Sequence, residues 1–117
     1  MKCSVYISEM KVAECDLLPA DDSMCVAHAH INITFDETEF SKTLHDHGAK
    51  NNDGVIELLH RNGLRILDDT GSLIPSVGSV IMYCPELNRT ELDVYGIDAK
   101  YYKNRLHRVG IDSPGLA

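Results

Sequence analysis

Imidazoles two residues apart occur twice in this chain, as His28-Ala29-His30 and His45-Asp46-His47. Imidazole ionises near neutral pH and, when neutral, is a common metal ligand, so both pairs are candidates for acid–base or metal chemistry. Their surroundings separate them. Ala27, Ala29, Ile31, Ile33 and Phe35 alternate with His28, His30, Asn32 and Thr34, which is the two-residue period of a half-buried strand. On such a strand His28 and His30 share the polar face, with side-chain origins about 7 Å apart. Two imidazoles so placed can grip one zinc or other divalent ion if a neighbouring strand supplies a carboxylate or a third imidazole. The plainer account is a polar strand face meeting water, because H-x-H alone is a weak pattern.

His45 and His47 fall in a helical pattern, where two residues correspond to about 200° of rotation, so they do not chelate together. A protonated histidine there favours the helix C-terminus, and His60 beside Arg61 is placed likewise at the end of a second predicted helix. No Gly-rich phosphate loop ending in Gly-Lys, G-x-S-x-G, H-E-x-x-H or G-x-G-x-x-G occurs. That absence lowers the expectation of an enzyme. An acid–base pair such as His30 with Asp36 or Glu39 would have to be assembled by the fold.

Charge is the second feature with chemical meaning. The formal net charge is −7, which disfavours phosphate backbones and anionic membranes over most of the surface. Residues 1–99 carry seven Lys/Arg against seventeen Asp/Glu, whereas residues 100–117 carry four against one. The acidic candidates Asp16, Asp21, Asp22, Asp36, Glu37, Glu39, Asp68 and Asp69 sit in turns and at a helix start. Carboxylates there can steer a basic protein partner, or simply serve as turn residues, caps and solubilising charge. Lys100, Tyr101, Tyr102, Lys103, Arg105, His107 and Arg108 interleave cations with aromatics, a mixture that can bind a short nucleic acid or a small anion. The same residues also suit a solvated edge strand whose lysines block further pairing.

These residues need a scaffold, and 117 residues with 44% hydrophobic and 25% charged side chains suffice for one domain with a single core. The last few residues read as a flexible tail. The first arm of a hairpin is expected over residues 2–13, and the turn Pro19-Ala20-Asp21-Asp22 leads to a return arm over 24–35. Asp36 then caps a helix in a variant of the capping box with Glu39, stapled by Phe35 and Phe40 and stopped at Gly48. A second helix is expected after Asp53, carrying Val55, Ile56, Leu58 and Leu59, with Gly63 as its stop. Leu64 to Leu67 and Ser72 to Ile74 flank the turn Asp68-Asp69-Thr70-Gly71, while Val77 to Cys84 and Glu91 to Ile97 flank a polar loop. Residues 99–111 read as strands in preference to a helix carrying Tyr102, Leu106 and Val109. The expectation is an α+β domain: an antiparallel sheet of about five to seven strands, with two short helices inserted after the second strand.

Cys3, Cys15, Cys25 and Cys84 contain no C-x-x-C pair, so a thiolate zinc site has no support. Cys3 and Cys25 are expected on adjacent strands, where they could pair only in an oxidising compartment. The N-terminal residues include charge before any apolar run, and no stretch approaches the roughly 18 apolar residues of a membrane span. Together these features favour a small acidic cytoplasmic binding protein with no cofactor and no catalytic residues. It would act by protein–protein contact, for example inhibiting a basic nucleic-acid-handling partner as a phage-type anti-defence protein does, through Asp21, Asp22, Asp36, Glu37, Glu39, Asp68 and Asp69. A zinc or other divalent-metal protein or enzyme using His28 and His30 is the competing class. An anion or short nucleic-acid binder using Lys100, Tyr101, Tyr102, Lys103, Arg105 and Arg108 is the third.

Overall fold

The chain folds as ten strands in two antiparallel sheets with two short helices, as described by a computed structural model for residues 1–33 and 36–107, the side chain of His107 excepted. In chain order the strands are β1 (Lys2–Ile7), β2 (Met10–Asp16), β3 (Leu18–Asp21), β4 (Val26–His30) and β5 (Asn32–Ile33), then β6 (Lys50–Asn52) and β7 (Val55–Leu59) beyond the first helix, α1 (Glu37–Asp46). They continue as β8 (Leu64–Leu67), β9 (Gly78–Cys84) and β10 (Arg89–Tyr95), and the second helix, α2 (Ala99–Tyr102), follows. One sheet has the order β5-β2-β1-β8 and the other β3-β4-β10-β9-β7-β6.

The expected return arm over 24–35 is divided between the sheets. Ala27 and Ala29 point into the core from β4, as the alternation predicts, but β4 ends at His30. Ile31 is buried and bonds through its backbone to Thr90, after which β5 pairs with β2 in the other sheet. Thr34 and Phe35, including the expected staple, lie outside the described residues. Two-sheet membership explains why ten short strands replace the expected single sheet of five to seven.

The helix after Asp36 forms as its cap and stripe dictate. The Asp36 carboxylate accepts from Thr38 N at 3.2 Å, and Gly48 adopts a left-handed φ of 88° just past the end. Phe40 and Leu44 are buried, Phe40 edge-on to Tyr83 with ring centroids 5.2 Å apart. Burial of such side chains stabilises by about 1.5–3 kcal/mol each, more than the roughly 1 kcal/mol of a cap. Packing therefore dominates in holding this ten-residue helix.

Neither helix follows the second strand: α1 comes after β5 and α2 after β10. The expected helix over Val55 to Leu59 is a strand. Asp53 and Gly54 take positive φ values of 55° and 88°, the backbone of a two-residue hairpin turn. Ile56 and Leu58 are buried while Val55, Glu57 and Leu59 are half-buried, a period of two. Only His60–Asn62 form a helical turn, of 3-10 type, and Gly63 stops it at φ 92°. The segment after Asp98 is helical rather than a strand pair. Asp98 caps it by accepting from Tyr101 N at 3.1 Å, and the turn widens over Lys103–His107. Tyr102 and Leu106, four residues apart, are both buried, which is the helical period.

The inner faces of both sheets, α1 and the second helix share one apolar core, including Val5, Ile7, Leu58, Ile81, Leu92 and Val94. No helix among the described residues is long and apolar enough to cross a membrane.

Candidate metal centre

β4 and β10 pair antiparallel with Glu91 opposite His30 and Asp93 opposite His28. Their alternating neighbours Ala27, Ala29, Leu92 and Val94 are all buried. The same two-residue period therefore turns His28, His30, Glu91 and Asp93 outward together, on the face of the six-stranded sheet away from the core. Leu18 on β3 stands opposite His28, and Met82 and Val80 on β9 stand opposite Glu91 and Asp93. The polar group is thus flanked by apolar side chains on both neighbouring strands.

The geometry inside this group is specific. His28 Nδ1 lies 2.6 Å from Asp93 Oδ1. An ionised carboxylate only accepts, so Nδ1 carries the proton and Nε2 is the ring nitrogen left to bind something else. That Nε2 lies 3.7 Å from Glu91 Oε1, and His30 Nδ1 lies 3.6 Å from the same oxygen. One potential donor atom from each of His28, His30 and Glu91 falls within 4.8 Å of the others. Ligand atoms about 2.1 Å from a tetrahedral zinc are about 3.4 Å apart, so two of the three separations are already close to a zinc coordination edge. The His28 and His30 rings meet edge-on at 5.2 Å, and their ligand nitrogens are no more than 4.8 Å apart.

Two imidazoles and one carboxylate form a mixed N/O set suited to zinc and to other divalent transition metals, and they leave a fourth tetrahedral position. The side chains of His28 and Glu91 are 32% and 28% exposed, whereas that of His30 is 68% exposed. A metal held by these three side chains would be reached by solvent from the His30 side. Asp93 completes a carboxylate–histidine arrangement that fixes the ring orientation and tautomer of a metal ligand. His28 and His30 were legible from their spacing. Glu91 and Asp93 were not, because their pairing with β4 joins residues more than sixty positions apart.

Among the described side chains, His45, His47 and His60 are not part of this group. His47 caps α1 with its Nδ1 2.9 Å from Thr43 O, and His45 lies in the last turn of the same helix. His60 is exposed in its 3-10 turn, with its ring edge-on to Tyr95. His30 faces Glu91 in place of Asp36 or Glu39.

Three of the acidic candidates and three residues of the C-terminal segment, far apart in the sequence, prove to be one another's partners. Tyr101 donates its hydroxyl to Asp68 at 2.7 Å and Tyr102 donates to Asp22 at 2.7 Å. Arg105 pairs with Asp69 and lies 3.6 Å from Asp68. Burial pushes the pKa of both tyrosines up, reinforced by the carboxylate each one faces, so both hydroxyls keep their protons. Asp68 is buried, and Asp21 is engaged by Ser23 and Met24 within its turn. Asp36, Glu37 and Glu39 are exposed at the start of α1, and Lys100 and Lys103 are exposed on the second helix. Arg108 lies outside the described residues. No known family, curated protein or solved structure matches this chain.

Proposed function

We propose that this protein binds one divalent transition-metal ion, zinc fitting best, through His28, His30 and Glu91, with Asp93 orienting His28. The observation that carries this reading is the β4–β10 register, which sets both imidazoles against both carboxylates with one nitrogen of His28 already committed to Asp93. In the absence of a cation, Glu91 and Asp93 are two like charges on one strand face; a divalent ion between Glu91 and the imidazoles relieves that repulsion. The open fourth position accepts a water or a donor atom from an incoming ligand, so the site can serve binding or, through a metal-bound water, hydrolytic chemistry.

The protein-contact reading has less geometric support, because Asp22, Asp68 and Asp69 are engaged by the second helix. Among the described residues, Asp21, Asp36, Glu37 and Glu39 remain exposed acidic candidates that the second helix does not engage.

The metal reading is tested by stripping the protein with a chelator, dialysing against zinc and measuring bound metal by elemental mass spectrometry. One equivalent is expected, lost in the His28→Ala/His30→Ala double variant. Asp93→Asn should weaken affinity by about 10- to 100-fold, the usual effect of removing an orienting carboxylate. Zinc at 100 times its dissociation constant should stabilise the wild type by about 2.7 kcal/mol and leave the double variant unchanged. A wild type that retains no zinc and melts identically with and without it would leave these residues as cross-strand ion pairs.

A further inference from the structure

We infer that Cys3 and Cys15 are an oxidative modification site, a thiol pair that closes to a cross-strand disulfide on exposure to a small peroxide. Cys25, the neighbour expected from sequence, lies elsewhere, in the turn between β3 and β4. Cys3 on β1 is the register partner of Cys15 on β2, and their sulfurs are 3.1 Å apart. Met1 and Leu17 exchange both backbone hydrogen bonds, at 2.9 and 2.8 Å. In an antiparallel ladder that pattern recurs every second pair, so Cys3 and Cys15 also form a hydrogen-bonded pair with Cα atoms about 5.5 Å apart. This lies inside the range of about 4.4–6.8 Å that a disulfide spans without moving the backbone. The two sulfurs need to close by only about 1 Å to bond.

The chemistry is distributed unequally over the pair. The hydrogen bond between the thiols pushes the pKa of Cys3 up, as does its burial, and the same bond pulls that of Cys15 down. Cys15 is thus the attacking thiolate. Its sulfur displaces hydroxide from hydrogen peroxide to give a sulfenic acid, and the hydroxide takes up the proton released by the thiol. The Cys3 sulfur then attacks the Cys15 sulfur, the S–O bond breaks, and a second water leaves with the Cys3 proton. Two thiols lose two hydrogens and two electrons, and one peroxide becomes two waters. Cys3 also lines a surface cleft of about 360 Å³ between β1 and the Asp68–Gly71 turn, a route for a small neutral oxidant to reach buried sulfurs.

Wild-type protein treated with hydrogen peroxide, quenched with an alkylating reagent and cleaved on the N-terminal side of aspartates tests this directly. Such cleavage leaves Cys3 and Cys15 together in residues 1–15 and places Cys25 in residues 22–35. The expected product is a 1–15 peptide two hydrogens lighter and unalkylated, restored to two alkylated thiols by prior dithiothreitol. The oxidised protein should melt at a higher temperature than the reduced one. Residues 1–15 recovered fully alkylated after Cys25 and Cys84 have reacted would overturn the proposal, as would a peptide joining them to residues 22–35. A Cys25→Ser/Cys84→Ser variant should pass from two free thiols to none; retention of both would overturn it equally.

Discussion

Asp68 shows how one side chain can reverse the role its sequence suggests. In Asp68-Asp69-Thr70-Gly71 both aspartates read as exposed turn residues, yet the Asp68 side chain is only 3% exposed. Its Oδ1 accepts from Thr70 N at 2.9 Å, Thr70 Oγ1 at 2.6 Å and Ser72 N at 3.1 Å, and its Oδ2 accepts from the Tyr101 hydroxyl. Burial alone would raise its pKa. The hydrogen bonds outweigh burial and hold it down to about 2. Replacing Asp68 by Ala removes the charged acceptor of these bonds, and a hydrogen bond to a charged group contributes about 1.5–3 kcal/mol. Asp69, half-exposed and paired with Arg105, resembles a surface ion pair worth about 0–1 kcal/mol. Urea unfolding should therefore show a loss of about 3 kcal/mol in Asp68→Ala against less than about 1 kcal/mol in Asp69→Ala. Equal small losses would show that Asp68 anchors nothing.

At the scale of elements, the best-formed signals were local and redundant. Asp36, Phe40, Leu44 and Gly48 all specify the same helix, and Asp36→Ala should cost about 1 kcal/mol by chemical denaturation, with the helix itself persisting on its Phe40 and Leu44 packing. An unchanged midpoint would show that the bond to Thr38 adds nothing. Elsewhere two patterns competed. Val55 to Leu59 carries four apolar residues in five, which either period can accommodate. Asp53-Gly54 decides for a hairpin, because only a turn needs two successive positive φ values. Residues 99–106 were the reverse case, where adjacent tyrosines suggest a strand but Asp98 caps a helix and Tyr102 and Leu106 share its buried face. The metal candidate divides in the same way. Its histidines obey a period visible within five residues, while its carboxylates depend on β10 pairing with β4, and nothing local encodes that register.

For the whole molecule, the consequence is a clasp. Tyr102 ties the second helix to Asp22, beyond β3 of the six-stranded sheet, and Tyr101 and Arg105 tie it to Asp68 and Asp69, beyond β8 of the four-stranded sheet. The segment whose charge suggested an anion site therefore spans both sheets, and its strength depends on Asp68 being ionised. The carboxyl has a folded pKa of about 2, below the unfolded value of about 3.9. Its contribution is thus fully present above about pH 4–5 and is lost as pH falls through the unfolded and then the folded value. The size of the shift corresponds to about 2.6 kcal/mol. Asp68→Asn keeps the shape but cannot ionise, so its unfolding free energy should lie below that of the wild type by about this amount at pH 6, and the difference should close toward pH 2. Urea titrations of both proteins from pH 7 to pH 2.5, at constant ionic strength and with chelator present to exclude metal, measure it. A difference that stays constant over that range would mean that Asp68 holds the clasp by shape alone and that its charge contributes nothing.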